Sequence, residues 1–138
     1  MPGSRTSIGP DTYRTHLEDT VVRLTNQARA KARLAPLKTN ELLRQAARSH
    51  SLDMARRGYI AHNDPDGVTP FDRMWAHGYA EPAGENIAAG QRRPHEVIHA
   101  WLNSPGHRAN LLHPDFCEIG VGVHLGDGPL WTQKFGYG

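Results

Sequence analysis

The sequence has little that could cross-link it covalently or anchor it in a bilayer. Its 138 residues include one cysteine, Cys117, which excludes an intramolecular disulfide framework and every multi-cysteine metal motif. We expect this lone cysteine to be a small buried apolar residue. No apolar run approaches the ~20 residues that span a bilayer, so we predict no transmembrane segment. Aromatic residues make up 7% and charged residues 22% of the chain, as in an ordinary globular protein.

The charge is almost balanced overall but is divided between the two halves of the chain. Residues 1–60 hold eleven Lys and Arg against five Asp and Glu, whereas residues 61–138 hold five against nine. The arginines of the first half are spread along helical patterns and no basic run is interleaved with aromatics, so we expect no nucleic-acid partner. The second half holds seven of the nine histidines, so we expect any catalytic or metal-binding residues there.

Helical patterns dominate the first part of the chain and strand patterns the last. Apolar spacing and capping residues predict helices over about 14–33, from Thr39-Asn40 to Arg57, over 69–78, from Pro94 to about 103, and over 104–112. Alternating patterns predict strands over 84–89, 119–125 and 130–135. This order indicates an α+β domain with a small antiparallel sheet flanked by helices, over residues 14–138. We expect residues 1–13 to be a flexible N-terminal lead-in and the protein to be a monomer.

One local pattern has the spacing of a zinc protease helix. His95 and His99 lie four residues apart and could chelate zinc, with Glu96 as the general base. The longer form of this motif needs a glycine and a third histidine where this chain has Leu102 and Pro105. We therefore favour a surface coincidence and keep a zinc hydrolase of this type as an alternative.

Three further candidates lie in separate turn-rich segments. His62 precedes a Pro-Asp-Gly turn, Glu85 lies between small and apolar residues, and His107 occupies the first turn of a predicted helix. A carboxylate in such a setting is costly to bury unless it is paired, and a helix N-terminus keeps an imidazole neutral. Two neutral imidazoles, one carboxylate and a water would form a zinc site, but the spacing alone does not show that these residues converge.

Four segments, in this order, resemble the CAP superfamily of cysteine-rich secretory, antigen 5 and pathogenesis-related proteins, and in particular its compact bacterial SCP-like branch. They are "AARSHSLDMARRGYIAHNDPDG", "GENIAAG", "AWLNSPGHRANLLHPDFCEIGVGV" and "WTQKFG", and the likeness covers about residues 15–136. The resemblance implies an α-β-α sandwich, an extracellular or cell-envelope location, and a central groove lined by two histidines and two glutamates that can hold a divalent metal.

Carried over by motif, the resemblance places His62 and Glu85 at the first histidine and first glutamate of that groove. The position of the second glutamate is Ser104 and that of the second histidine is Leu130, so only half of the four-residue set is present. His107, in the Pro-Gly-His-Arg segment, is our candidate replacement.

We therefore predict a groove lined by His62, Glu85, Asn86 and His107. His62, Glu85 and His107 are the predicted ligands of a divalent cation, most simply zinc.

The function that follows is that of a secreted binding module rather than an enzyme. Its groove would hold a divalent metal, a lipid or sterol, or a cell-wall or matrix ligand. The alternative is a metal-dependent hydrolase of the peptidase or esterase type with Glu85 as general base. A third interpretation is an interaction module whose groove is vestigial.

Overall fold

The computed structural model describes residues 9–138, which form five helices and four strands. In chain order these are α1 (Pro10–Lys31), β1 (Lys38–Thr39), α2 (Glu41–Arg57), α3 (Pro70–Ala76), β2 (Pro82–Ala89), α4 (Pro94–Leu102), α5 (Pro105–Leu111), β3 (Glu118–His124) and β4 (Leu130–Gly136).

The sheet has the strand order β1-β3-β4-β2 and lies between two layers of helices. β3 and β4 form an antiparallel hairpin, β2 pairs antiparallel with β4, and the two-residue β1 pairs parallel with β3. α2 and α3 cover one face of the sheet, while α1 and α4 cover the other and α5 lies beside β2. The predicted α-β-α sandwich is confirmed, but its sheet is mixed because the short parallel edge strand β1 has no periodicity from which it could be predicted.

Local capping explains where two of the helices begin. The Asn40 side chain accepts hydrogen bonds from the backbone N–H groups of Leu42 and Leu43, and so satisfies two donors of the first turn of α2. Thr69 and Asp72 exchange side-chain and backbone hydrogen bonds as a capping box at the start of α3. Both helix starts agree with the capping residues predicted from the sequence.

Two glycines of β3 let α2 lie directly on the sheet. A Cβ atom at Gly120 would lie 2.2 Å from the backbone of α2, and a Cβ atom at Gly122 would do the same. The side chains of the neighbouring residues Val121 and Val123 point to the other face and are buried with α1 and α4. The face towards α2 can therefore be lined by small and polar groups, and the candidate site lies on this face.

A buried arginine fixes the segment that leads from α5 into β3. The Arg29 guanidinium of α1 is fully buried and donates to the carbonyl oxygens of Ala35, Leu111 and His113 at 2.8–3.0 Å. Because each bond joins a buried cation to a backbone carbonyl oxygen, this contact holds the end of α5 against α1.

Several sequence-based expectations need correction. α1 begins at Pro10 rather than near residue 14, so residues 10–13 of the predicted lead-in are helical, while its residues 1–8 lie outside the described residues. Cys117 is exposed rather than buried, because it lies at the turn that enters β3. Of the three tryptophans, Trp101 and Trp131 are buried, whereas Trp75 is 55% exposed on α3.

Among the helices of residues 9–138, none combines the length and the apolar character required to cross a membrane.

We predict that Gly122→Ala strongly destabilises the protein. The new methyl group would overlap the backbone of α2, which has to move away from the sheet, and overpacking of this kind costs about 3 kcal/mol of the free energy of unfolding. Urea unfolding measures the loss. Gly126→Ala is the matched control, because the nearest heavy atom to its Cβ would be 3.6 Å away. Equal stability of the two variants would contradict the close packing of α2 on β3.

Candidate functional site

Glu85 lies near the middle of β2, and its side chain points into the layer between the sheet and α2. It is only 6% exposed. Its Oε1 atom accepts a hydrogen bond of 2.8 Å from Nδ1 of His62, and its Oε2 atom contacts Nζ of Lys134 and Nη2 of Arg73, the latter at 3.3 Å. Nε2 of His50 lies 4.0 Å from Oε1. The carboxylate is therefore surrounded by nitrogen atoms from β4, α3, α2 and the loop after α2.

These contacts keep Glu85 ionised. Burial by itself would raise the pKa of the carboxyl group, but the hydrogen bond from His62 and the charge of Lys134 outweigh it and lower the pKa to about 2. Burial lowers the pKa of Lys134 to about 8, although the nearby charge of Glu85 acts in the opposite direction. Lys134 is therefore protonated and Glu85 ionised at neutral pH. With Arg73 beside them, two cations face one carboxylate.

His50 of α2 is fully buried in this layer as a neutral ring. Its Nε2 atom is 2.8 Å from the carbonyl oxygen of Ala61, the residue before the predicted groove histidine His62. Burial lowers the pKa of His50 to about 4, and the charges of Arg73 and Lys134 act in the same direction. His50 therefore fixes the loop that carries His62 without adding charge to the site.

His62 is the part of this network that reaches the surface. Its side chain is half exposed, and Nδ1 donates to the Glu85 carboxylate, so Nε2 is the ring nitrogen that lies away from that carboxylate. Arg73 also donates to the carbonyl oxygen of His62, so both the backbone and the ring of this residue are held. The orientation of the imidazole is thus set by buried groups.

His107 lies at the start of α5, close to this histidine. Burial lowers the pKa of the His107 imidazole, and His62 acts in the same direction. The backbone carbonyl of His107 accepts a hydrogen bond from the side-chain amide of Asn86, and Asn110 of α5 donates to the backbone carbonyl of Glu85 at 3.1 Å. α5 is therefore held along the edge of β2.

Asn86 does not line the groove as predicted. Successive side chains of a strand point to opposite faces, so Asn86 faces α1 while Glu85 faces α2. The Asn86 amide is fully buried and donates to Oε1 of Gln133, whose own amide donates to Thr25 of α1 at 2.9 Å. Asn86 positions α5 against the sheet instead of contacting a ligand.

The structure brings only two of the three predicted metal ligands into contact. Among residues 9–138, no three or more His, Cys, Asp and Glu side chains lie close enough together to hold an ion. The physical reason is that the Glu85 oxygens already face Lys134 and Arg73, so a divalent cation would add charge to a site with an excess of positive charge. His62 contacts Glu85, and His107 does not join them as a third ligand.

The residues of the zinc protease pattern lie on α4, away from Glu85, and have a different structural role. His95, Glu96 and His99 are all exposed on the outer face of α4. Glu96 accepts hydrogen bonds from the backbone N–H groups of Arg92 and Arg93 at 3.1 and 3.0 Å, so its carboxylate caps the helix. The general base that a zinc hydrolase needs is therefore missing from this motif.

An apolar cleft of about 670 Å³ lies beyond Glu85 on the same face of the sheet. The cleft begins at Tyr59 and Ile60, just before His62, and continues to Ala89 at the end of β2. Glu85 and Ala89 are four residues apart, which is about 13 Å along a strand, and they share one face. The other walls come from α2 and the β3–β4 hairpin, including Met54, His124 and Leu130.

The sequence alone does not indicate that Arg73 and Lys134 belong to the site, nor that this cleft exists. One signal is available: Lys134 lies in the buried strand pattern next to Phe135, and a lysine at such a position requires an acidic partner. Which acid pairs with it depends on the register of β2 against β4, in which Glu85 is opposite Lys134. No local pattern in the sequence specifies that register.

The fold and the sequence together place this chain in a known family. The family model described as "CAP: Cysteine-rich secretory protein family" matches residues 22–135, so the chain belongs to this family.

Among its relatives, an uncharacterized protein of Bacillus subtilis, YkwD, is 48% identical over 119 residues, which cover 86% of this chain and 46% of that protein. An extracellular protein of Bacillus anthracis that contains an SCP domain has a crystal structure that matches with a TM-score of 0.87 and 32% identity, over 96% of this chain and 45% of that one. An outer surface protein of Borrelia burgdorferi shares the fold, with a TM-score of 0.79 and 24% identity over 86% of this chain and 90% of that one. The chain thus spans less than half the length of the two Bacillus proteins.

We predict that Lys134→Met costs about 3–5 kcal/mol of stability, because it removes one partner of a buried ion pair. The double variant Glu85→Gln/Lys134→Met should recover part of this loss, since it also removes the charge that the single variant exposes to an apolar environment. Urea unfolding of the two single variants and the double variant gives the coupling energy. Additive losses would contradict a direct Glu85–Lys134 interaction.

We also predict that His50 makes the protein sensitive to acid. The pKa of His50 is about 4 in the folded protein and 6.5 in the unfolded chain, so the unfolded state binds more protons between these values. Stability should therefore fall as the pH drops from 6.5 to 4, by about 3 kcal/mol from this residue.

Chemical denaturation at a series of pH values tests this prediction. His50→Gln should flatten the slope in that window, whereas His16→Gln, a change at an exposed position of α1, should leave it unaltered. The same slope in wild type and His50→Gln would refute the assignment. Glu85 adds its own loss only below pH 4.5, as its carboxylate becomes protonated towards a folded pKa of about 2.

Proposed function

We propose that this domain is an extracellular binding module for an amphipathic, lipid-like molecule with an anionic head group. The observation that carries the proposal is the apolar cleft on the α2 face of the sheet, at one end of which Ile60 is 60% exposed. Its volume of about 670 Å³ lies within the range of small-molecule sites, which are mostly apolar with a few polar groups that orient the ligand.

We place the polar end of the proposed ligand at His107 and at His62, which follows the cleft residues Tyr59 and Ile60 in the chain. Two positive side chains face the single Glu85 carboxylate, so the floor beneath His62 has an excess of positive charge. A carboxylate or similar anionic head is the complementary group at this end, and the hydrocarbon part would lie towards Ile60 and Leu130. We leave a divalent metal out of the proposed ligand, because the same positive charge opposes it.

Two similar proteins support an extracellular location. The Bacillus anthracis protein, 32% identical over nearly all of this chain, is described as extracellular, and the Borrelia burgdorferi protein as an outer surface protein. We propose the same side of the cell envelope for this domain.

The properties of Glu85 favour binding over hydrolysis. A general base works best with a pKa near the operating pH, whereas the pKa of Glu85 is lowered to about 2 and both of its oxygens are engaged by protein groups. The hydrolase alternative therefore has no support at this carboxylate.

We expect cis-parinaric acid, a fluorescent fatty acid, to bind with a saturable increase in its fluorescence. Ile60→Asp should weaken this binding about tenfold or more, because it places a charge on the apolar wall and removes a contact worth about 1.5 kcal/mol. Leu42→Asp is the matched control, since Leu42 is 43% exposed but lies outside the cleft.

The head-group assignment is tested by comparing the free acid with its methyl ester. Wild type should prefer the acid, and His62→Gln combined with His107→Gln should reduce that preference while leaving the binding of the ester unchanged. Absence of saturable binding, or equal affinity of Ile60→Asp and wild type, would refute the proposed function.

A further inference from the structure

We propose that His95 and His99 form a second, independent site that chelates a borderline divalent metal ion such as Zn²⁺ on the outer face of α4. Both residues are exposed, and both lie within α4. Side chains four residues apart on a helix lie on one face, with Cβ atoms about 5–6 Å apart. Two imidazoles at this spacing can bind one ion from the same side.

The helix that carries the pair is held firmly on the domain. Val97, Ile98 and Trp101 of α4 are all buried, and the indole Nε1 of Trp101 donates to the carbonyl oxygen of Ile87 at 3.0 Å. The buried side chains fix which face of α4 points outward. The backbone positions of His95 and His99 are therefore set before any metal binds, which lowers the ordering cost of chelation.

The ends of α4 are also fixed at the positions next to the two histidines. Glu96 bonds the backbone N–H groups of Arg92 and Arg93 as a helix cap, so the turn that contains His95 does not depend on the first intrahelical bonds alone. At the other end, the side-chain amide of Asn103 donates to the backbone carbonyl of His99 at 2.8 Å. The same amide lies 3.3 Å from both ring nitrogens of His99, so a metal ion has to displace it from the nitrogen that it binds.

The same contacts separate metal binding from hydrolysis. Because Glu96 is occupied as a cap, the motif keeps its two nitrogen ligands and lacks an available general base. Imidazole suits Zn²⁺, Ni²⁺ and Cu²⁺, and a site with two protein ligands leaves the remaining positions to water. The Arg92 and Arg93 charges near the first turn oppose a cation, so we expect a weaker site than one with a full set of protein ligands.

Isothermal titration with zinc chloride, in a buffer that does not bind the metal, tests this site on a Cys117→Ser background that removes the exposed thiol. We expect saturable binding that is lost in His95→Gln and in His99→Gln. His62→Gln combined with His107→Gln, which leaves α4 untouched, should retain it. Amide NMR spectra with zinc should show shifts confined to residues 92–103.

Three results would overturn the proposal. These are absence of saturable zinc binding by the parent protein, retention of binding in both α4 variants, and loss of binding in the His62/His107 variant. Fatty-acid binding should be the same in the α4 variants as in the parent, so failure of this site and failure of the proposed function are distinguishable.

Discussion

The structure depends most on the compensation of one buried negative charge. An isolated carboxylate in the layer between the sheet and α2 would be very costly, and Glu85 is tolerated there because Lys134, Arg73 and His62 all approach its oxygens. These partners come from β4, α3 and the loop after α2, so one charge ties together elements that are far apart in the chain. The close approach of α2, which Gly122 permits, brings this helix directly over the layer.

The same compensation decides what the site can do. A carboxylate held ionised by fixed cations is a poor proton acceptor, but it orients His62, and the two buried cations leave an excess of positive charge beneath that histidine. The groups left to contact a ligand are therefore the imidazoles and the residues of the apolar cleft. Membership of the cysteine-rich secretory protein family accounts for the fold.

Local features could be predicted from the sequence, and long-range pairings could not. The caps at Asn40 and Thr69 and the alternating pattern of β3 locate their elements to within a residue or two, because each is encoded by near neighbours. The parallel edge strand β1 is too short to have a period. The prediction for Asn86 is wrong because strand alternation places it on the face opposite Glu85, and the role of Lys134 depends on the register between β2 and β4, which no local pattern specifies.

The charge state of Glu85 is the most direct test of the central claim that this site is built for binding. A ¹³C NMR titration of the glutamate carboxyl groups, with Glu85→Gln used to assign the resonance, reports its pKa. The account predicts a carboxylate that remains ionised on acidification until the pH approaches about 2, or until the protein unfolds. A midpoint of about 5 to 7 in the folded protein would contradict it, because such a group could act as a general acid or base.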